Sequence, residues 1–158
     1  MARITRARPG PGPSGSETEV QARVKWLDHM SFVGESGSGH SVVIDGSPEH
    51  GGRNLAPRPM ELILLGLGGC TAYDVVLMLQ KSRQRVTAVE VLLDAERADA
   101  VPAVFTSVTV HFRVSGHELS EPAVERAVRL SKEKYCSATR MLEPTVEITC
   151  THQILSAG

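Results

Sequence analysis

The sequence predicts an α+β fold in the order βββ-α-ββ-α-β, with antiparallel sheets packed on two main helices. Three observations support this prediction. Several short runs alternate apolar and polar residues, as expected of strands with one buried face. One long run, residues 62–79, is apolar or small almost all the way round, so a helix there needs burial on every side. The order of these runs, with helices separating groups of strands, favours α+β.

Three short strands are predicted before the long helix. The first is marked by apolar residues at every second position, namely Val20, Ala22, Val24 and Trp26. The other two cover residues 30–33 and 40–44, separated by a glycine-rich loop at 34–39. That loop has the glycine content of a phosphate loop but not its lysine and following hydroxyl, so no phosphate site is predicted.

The long helix is predicted from about residue 60 to 82, with Pro59 suited to its first turn. Gly66, Gly69 and Ala72 are spaced about one turn apart and would let another backbone come close. Because so apolar a helix is hard to bury in a chain of 158 residues, we predict that it forms the core of a dimer. A helix contact within one chain is the alternative.

The second half of the chain predicts two long strands, a helix and a last strand. Residues 89–95 and 108–114 alternate in period two and are expected to form an antiparallel hairpin. Ser120 is the predicted N-cap of the second helix. Its inner face consists of Val124, Ala127, Val128 and Ser131. The last strand covers residues 146–155.

The composition of the chain excludes several classes of partner and location. A net charge of −1 and a pI near 6.6 do not favour nucleic acid or an anionic membrane surface as partners. Asp74 and three glycines within residues 62–79 argue against a membrane span. No secretory signal is recognised, and the few cysteines suit a cytoplasmic protein. We predict a disordered tail or expression remnant at residues 1–18 and a single domain at 19–158.

The candidate reactive groups are two thiols. Cys70 lies in the long apolar helix, and Cys136 follows the second helix. If the fold brings them together they form a redox couple; otherwise Cys70 is a small core residue. A cysteine at a helix end can rotate toward a partner, which suits a resolving thiol that condenses with a sulfenic acid. Cys150, in the last strand, is predicted to be a buried packing residue.

Asp74 lies one helical turn beyond Cys70, on the same face. A bare carboxylate there opposes thiolate formation, whereas an arginine bound to Asp74 and touching the sulfur favours it. Arg53 is the preferred arginine, because neighbouring glycines free its backbone, with Arg58 and Arg23 as alternatives. Each arginine could equally be a solvated surface charge. The six histidines show no metal-ligand spacing with the cysteines, so neither a metal nor another cofactor is predicted.

Two segments and the order of elements resemble the OsmC/Ohr family of thiol-dependent peroxidases. The segments are Pro-Met-Glu-Leu at 59–62 leading to Gly-Gly-Cys at 68–70, and Lys-Tyr-Cys-Ser at 134–137. The likeness extends from about residue 19 to 156, and residues 51–54 and 70–74 are more similar to the less characterised branch. The family has a glutamate ten positions before its first cysteine, where it orders an arginine. Here Met60 occupies that position and Glu61 follows.

The resemblance implies an intertwined homodimer with active sites between the subunits. It also implies that Cys70 is the peroxidatic thiol, which reduces organic hydroperoxides or hydrogen peroxide, and that Cys136 forms a disulfide with it. A small dithiol or lipoyl-type molecule would reduce that disulfide. We therefore predict a two-cysteine peroxidase with Arg53 and Asp74 at its site. A non-catalytic small-molecule-binding protein of the same fold is the alternative, and a purely structural dimer has less support.

Overall fold

The computed structural model describes residues 19–156. Its strands are β1 (Ala22–Asp28), β2 (Ser31–Ser36), β3 (Ser41–Ile44), β4 (Arg85–Arg97), β5 (Phe105–His117) and β6 (Glu147–Ser156). Its α-helices are α1 (Pro59–Lys81), α2 (Glu121–Leu130) and α3 (Ser137–Leu142). A short 3-10 helix (Pro48–His50) precedes α1, and a π-helical turn (Ser131–Tyr135) joins α2 to α3. The predicted α+β class and order of main elements are confirmed; α3 is an addition.

The described residues fall into two compact units, which divide between residues 62 and 63, so that α1 begins in the first unit and lies mostly in the second. The first unit contains an antiparallel sheet in the order β1-β2-β3, with Trp26 opposite Phe32 and Phe32 opposite Ile44. The predicted apolar face of β1 is exposed in the single chain, since Val24 and Trp26 are 62% and 63% accessible. Whether 19–158 folds as a single domain stays a prediction, and the predicted tail lies outside the described residues.

A buried carboxylate organises the loop after β3. Asp45 accepts backbone N–H bonds from Gly46, Arg53 and Leu55, at 2.8, 3.2 and 3.1 Å. The Leu55 N–H bond is the main cause that lowers the pKa of Asp45, with the other two in support and burial acting in the opposite direction. The loop that carries Arg53 is therefore held by an ionised side chain.

The same loop closes through a glycine. A Cβ at Gly52 would lie 2.1 Å from the carbonyl oxygen of Gly46, and backbone atoms cannot move aside cheaply. We expect Gly52→Ala to destabilise this unit by roughly 3 kcal/mol, measured by urea unfolding followed through the fluorescence of the single tryptophan, Trp26. Gly34→Ala is the control, because its Cβ would meet only an ordinary contact. Equal midpoints for the two variants would contradict the expectation.

The second unit contains a sheet in the order β4-β5-β6. β4 and β5 form the predicted antiparallel hairpin, with Val91 opposite Phe112. β6 instead runs parallel to β5, so the prediction of antiparallel strands is wrong for this last strand. The reason is the connection: α2, the π-helical turn and α3 carry the chain back along the sheet, as a parallel pairing requires. The alternate residues of β5 predicted to be buried are Val108, Val110, Phe112 and Val114, and all four are buried.

Helix α1 buries only one face in this chain. Leu67, Thr71, Val75 and Leu79, four residues apart, are each at most 1% accessible, whereas Leu65 and Tyr73 are 58% and 72% accessible. Burial on every side is therefore not reached within one chain. By length and composition α1 could cross a membrane, with a mean hydropathy of 2.0 over its most apolar window. The core helix of a soluble protein meets the same criterion, and 28% of that window is buried here.

Candidate functional site

Cys70, Asp74 and Cys136 lie together in the second unit. The two sulfur atoms and a carboxylate oxygen of Asp74 are all within 4.8 Å of one another. Cys70 and Asp74 are half-buried, and Cys136 is buried. Three of the four predicted site residues are thus brought to one place, although 66 positions separate the two cysteines in the sequence.

Close packing of α1 fixes one side of this cluster. Gly68 faces the sheet, and a Cβ there would lie 2.7 Å from Leu93 Cδ1 on β4. The neighbouring Thr71 is buried, and its hydroxyl donates to the carbonyl oxygens of Leu67 and Gly68 at 3.2 and 3.1 Å. These inward residues set the rotation of the helix, so that Cys70 and Asp74, one turn apart, lie toward Cys136.

The π-helical turn positions the other side. The N–H of Cys136 donates to the carbonyl of Ser131 at 2.9 Å, closing a five-residue hydrogen-bonded turn. At the start of this turn, Ser131 Oγ donates to Asp74 Oδ2 at 3.2 Å. One turn of backbone therefore places both the thiol of Cys136 and the hydroxyl that orients Asp74.

The environment of Cys136 has opposing effects on its ionisation. Burial is the largest effect and raises the pKa of the Cys136 thiol, and the nearby Cys70 raises it further. Thr139 lowers the pKa of Cys136, first through its side-chain hydroxyl and then through its backbone N–H, which donates to the sulfur at 3.3 Å at the start of α3. Thr139 Oγ1 is buried and has no other hydrogen-bond partner within residues 19–156.

A cavity of about 660 Å³ opens beside this cluster, between α1 and α2. Asp74 and Tyr135 belong to its wall. Apolar side chains form most of the remainder, among them Leu77, Met78, Ala127 and Leu130, together with the cationic residues Lys81 and Arg126. The cavity can hold a small molecule with an apolar body.

The predicted arginines all belong to the first unit. Arg53 is ion-paired with Asp28 at 2.7 Å and donates to Ser31 Oγ at 3.3 Å. Arg23 is ion-paired with Glu35. The proposed action of Arg53 on Cys70 stays a prediction. Glu61 accepts the backbone N–H of Arg58 at 2.8 Å and so caps the start of α1.

The third cysteine has a different setting. Cys150 lies on β6 opposite Val110, and burial raises the pKa of its thiol, with a smaller lowering by Lys132. A protonated, half-buried thiol in a strand suits the packing role predicted for Cys150.

Two further residues of the site, Ser131 and Thr139, were not predicted to have a part in it. Ser131 was predicted only as part of the inner face of α2, which is buried as expected. A hydroxyl on an otherwise apolar helix face was the available signal, because such a group needs a buried partner. Thr139 follows Cys136 by three positions, the spacing at which a helix N-cap accepts a backbone N–H.

Comparison with known proteins supports the resemblance. A family model described as OsmC-like protein matches residues 50–151. Protein YhfA of Escherichia coli K12 is 48% identical over 138 residues, which cover 87% of this chain and 100% of YhfA. A hypothetical protein from Aquifex aeolicus has a similar solved structure, with a TM-score of 0.78, 24% identity and coverage of 89% of this chain and 98% of that one.

A more distant solved structure is an organic hydroperoxide resistance protein OsmC from Legionella pneumophila. Its TM-score is 0.67 at 16% identity, covering 88% of this chain and 99% of that chain, so it supports the fold alone. The family model and the extent of the match to YhfA carry the assignment. The chain belongs to the OsmC-like protein family.

Proposed function

We propose that the chain is a thiol-dependent peroxidase that reduces organic hydroperoxides, or hydrogen peroxide, by a two-cysteine mechanism. The observation that carries the proposal is the distance of at most 4.8 Å between the sulfurs of Cys70 and Cys136. Some OsmC-like proteins are named for organic hydroperoxide resistance, and the Legionella pneumophila protein is one of them.

In the proposed reaction, the Cys70 thiolate attacks the outer peroxide oxygen and the O–O bond breaks. The sulfur becomes a sulfenic acid, and the peroxide leaves as an alcohol after taking up a proton. The Cys136 thiol then attacks the oxidised sulfur, forming a disulfide and releasing water. A small dithiol or lipoyl-type molecule reduces the disulfide and is itself oxidised. No further cofactor is needed.

The cavity beside the cluster suits an organic substrate. Its apolar residues, such as Leu77 and Leu130, would contact the carbon skeleton of the peroxide. The peroxide group would reach Cys70 past Asp74, which belongs both to the cavity wall and to the cluster. We also propose a cytoplasmic homodimer. Free thiols at all three cysteines fit a reducing compartment, and the exposed apolar residues of α1 fit a helix covered by a second copy.

A second candidate function is a non-catalytic small-molecule-binding protein. The cavity supports it, because Lys81 and Arg126 could hold an acidic group of a ligand whose body contacts the apolar wall. The two candidates differ in whether the thiols change on exposure to peroxide.

The test is to map the disulfides of the full chain after treatment with one equivalent of cumene hydroperoxide. We expect mass spectrometry of a non-reduced digest to give a Cys70–Cys136 peptide pair. A bridge that includes Cys150 instead would show that the assignment of Cys136 as the resolving thiol is wrong. Unchanged thiols would favour the binding protein.

A further inference from the structure

We infer that the reduced cluster of Cys70, Asp74 and Cys136 is a binding site for one Zn²⁺ ion per chain. Two thiolates and a carboxylate are a donor set that zinc prefers. Their donor atoms converge within 4.8 Å in a chain whose sequence pattern, based on histidines, predicted no metal.

The geometry needs only a small contraction. Tetrahedral zinc holds two thiolate sulfurs about 3.8 Å apart when each Zn–S bond is about 2.3 Å. The donor atoms here are at most 4.8 Å apart, so the two sulfurs must approach each other by about 1 Å or less. Cys70 and Asp74 lie one turn apart on α1, a spacing at which one helix face supplies two ligands to a metal.

The groups around the cluster fit such a site as well. Ser131 donates to Oδ2 of Asp74, and a carboxylate can accept this hydrogen bond and bind the ion at the same time. The backbone N–H of Thr139 donates to the Cys136 sulfur, and the buried Thr139 hydroxyl is available to do the same when that sulfur is anionic. Hydrogen bonds of this kind orient metal ligands and strengthen binding.

The three ligands leave a fourth position. Cys70 and Asp74 are half-buried, so water or a small molecule from solvent can complete the tetrahedron. Binding displaces two thiol protons, since zinc binds thiolates. The ion and a hydroperoxide therefore compete for the same two sulfurs.

This competition makes the site sensitive to oxidation, a step that rests on the proposed peroxidase reaction. One hydroperoxide and two protons convert the zinc dithiolate to a disulfide, an alcohol, one water and free Zn²⁺. Each sulfur loses one electron, and the peroxide O–O bond accepts both. Hydroperoxide would thus release the metal, and the metal would shield the reduced thiols.

The first experiment titrates the full chain, reduced and desalted without oxygen, with Co²⁺ as a spectroscopic probe for zinc. We expect one equivalent to give tetrahedral visible bands and a thiolate-to-cobalt band in the near ultraviolet. Zn²⁺ should displace both signals. Cys70→Ser and Cys136→Ser should weaken binding by at least about 100-fold, and Asp74→Asn by about 10-fold or more.

Cys150→Ser is the matched control and should bind Co²⁺ as the unchanged chain does. Circular dichroism checks that each variant is folded. Absence of the thiolate-to-cobalt band, or its loss in Cys150→Ser rather than in Cys70→Ser, would overturn the assignment of the ligands.

A second experiment separates this inference from the proposed function. The zinc-loaded chain is treated with hydroperoxide while released metal is measured with a chromogenic chelator. Release of one equivalent together with the Cys70–Cys136 disulfide supports both ideas. The zinc-free chain is treated in parallel. If hydroperoxide oxidises neither the zinc-free nor the zinc-loaded chain, the zinc site stands and the peroxidase is refuted. If it oxidises only the zinc-free chain, the proposed release is refuted, and if the chain is oxidised but takes up no zinc beforehand, the peroxidase stands and the zinc site is refuted.

Discussion

Cys70→Ser is expected to abolish hydroperoxide turnover completely. A serine hydroxyl is a poor nucleophile at neutral pH, and its oxygen cannot accept the peroxide oxygen as sulfur does. Neither of the other two thiols in the described chain is expected to replace Cys70, because burial raises the pKa of both Cys136 and Cys150. Peroxide consumption with a small dithiol as reductant measures the effect.

The same substitution at Cys136 distinguishes the resolving role of this thiol from the peroxidatic role of Cys70. Cys136→Ser should consume about one equivalent of peroxide and then stall, because the sulfenic acid on Cys70 has no intramolecular partner. A dimedone adduct on Cys70 should be detectable in this variant and absent from Cys70→Ser.

Cys150→Ser serves as the control and should turn over at the rate of the unchanged chain. Residual turnover in Cys70→Ser would exclude the proposed nucleophile. Loss of turnover in Cys150→Ser would instead indicate that the wrong cysteine has been assigned as the resolving thiol.

Much of the fold could be predicted from the sequence because local patterns of apolar residues indicate the type of each element and its buried side. The alternation of apolar residues along β5 and the apolar face of α2 depend on which side of each element is buried, and both agree with the structure. The direction of β6 could not be read in this way. A period of two is the same for parallel and antiparallel strands, so only the connection through α2 and α3 decides it.

The site was predictable only in part for a related reason. Cys70 and Asp74 are one turn apart in the sequence, so their proximity follows from helix geometry. Cys136 joins them only because the π-helical turn moves it out of the α-helical register, and a departure of this kind has no simple sequence signal. Ser131 was not predicted as a site residue because it also fits the buried face of α2.

The sequence predicts that β1 has a buried face, but a single chain does not bury it. Alternation indicates that one side of a strand is meant to be covered, but it does not say by what. Val24 and Trp26 remain exposed, as do several apolar residues of α1. Apolar surface of this extent usually marks a protein interface, and a second copy of the chain is the partner that we propose.

Gly69→Leu is expected to convert the proposed dimer into a monomer without unfolding the chain. A Cβ at Gly69, or at Gly66, meets no heavy atom within 4 Å in the described chain, so the single chain has room for a side chain. Replacing glycine within a helix also favours the helix by up to about 1 kcal/mol. A second helix packed on these glycines would have no such room.

Because a two-fold axis places the change in both copies, the cost of overpacking counts twice, roughly 2–6 kcal/mol in total. The dissociation constant of the dimer should therefore rise by about 30-fold or more. Sedimentation velocity at micromolar concentration measures the oligomeric state, and circular dichroism checks the fold. Glu125→Leu puts the same side chain on an exposed position of α2 as a control. A stable monomer of the unchanged chain, or a Gly69→Leu variant that stays dimeric, would show that α1 does not meet its copy through these glycines.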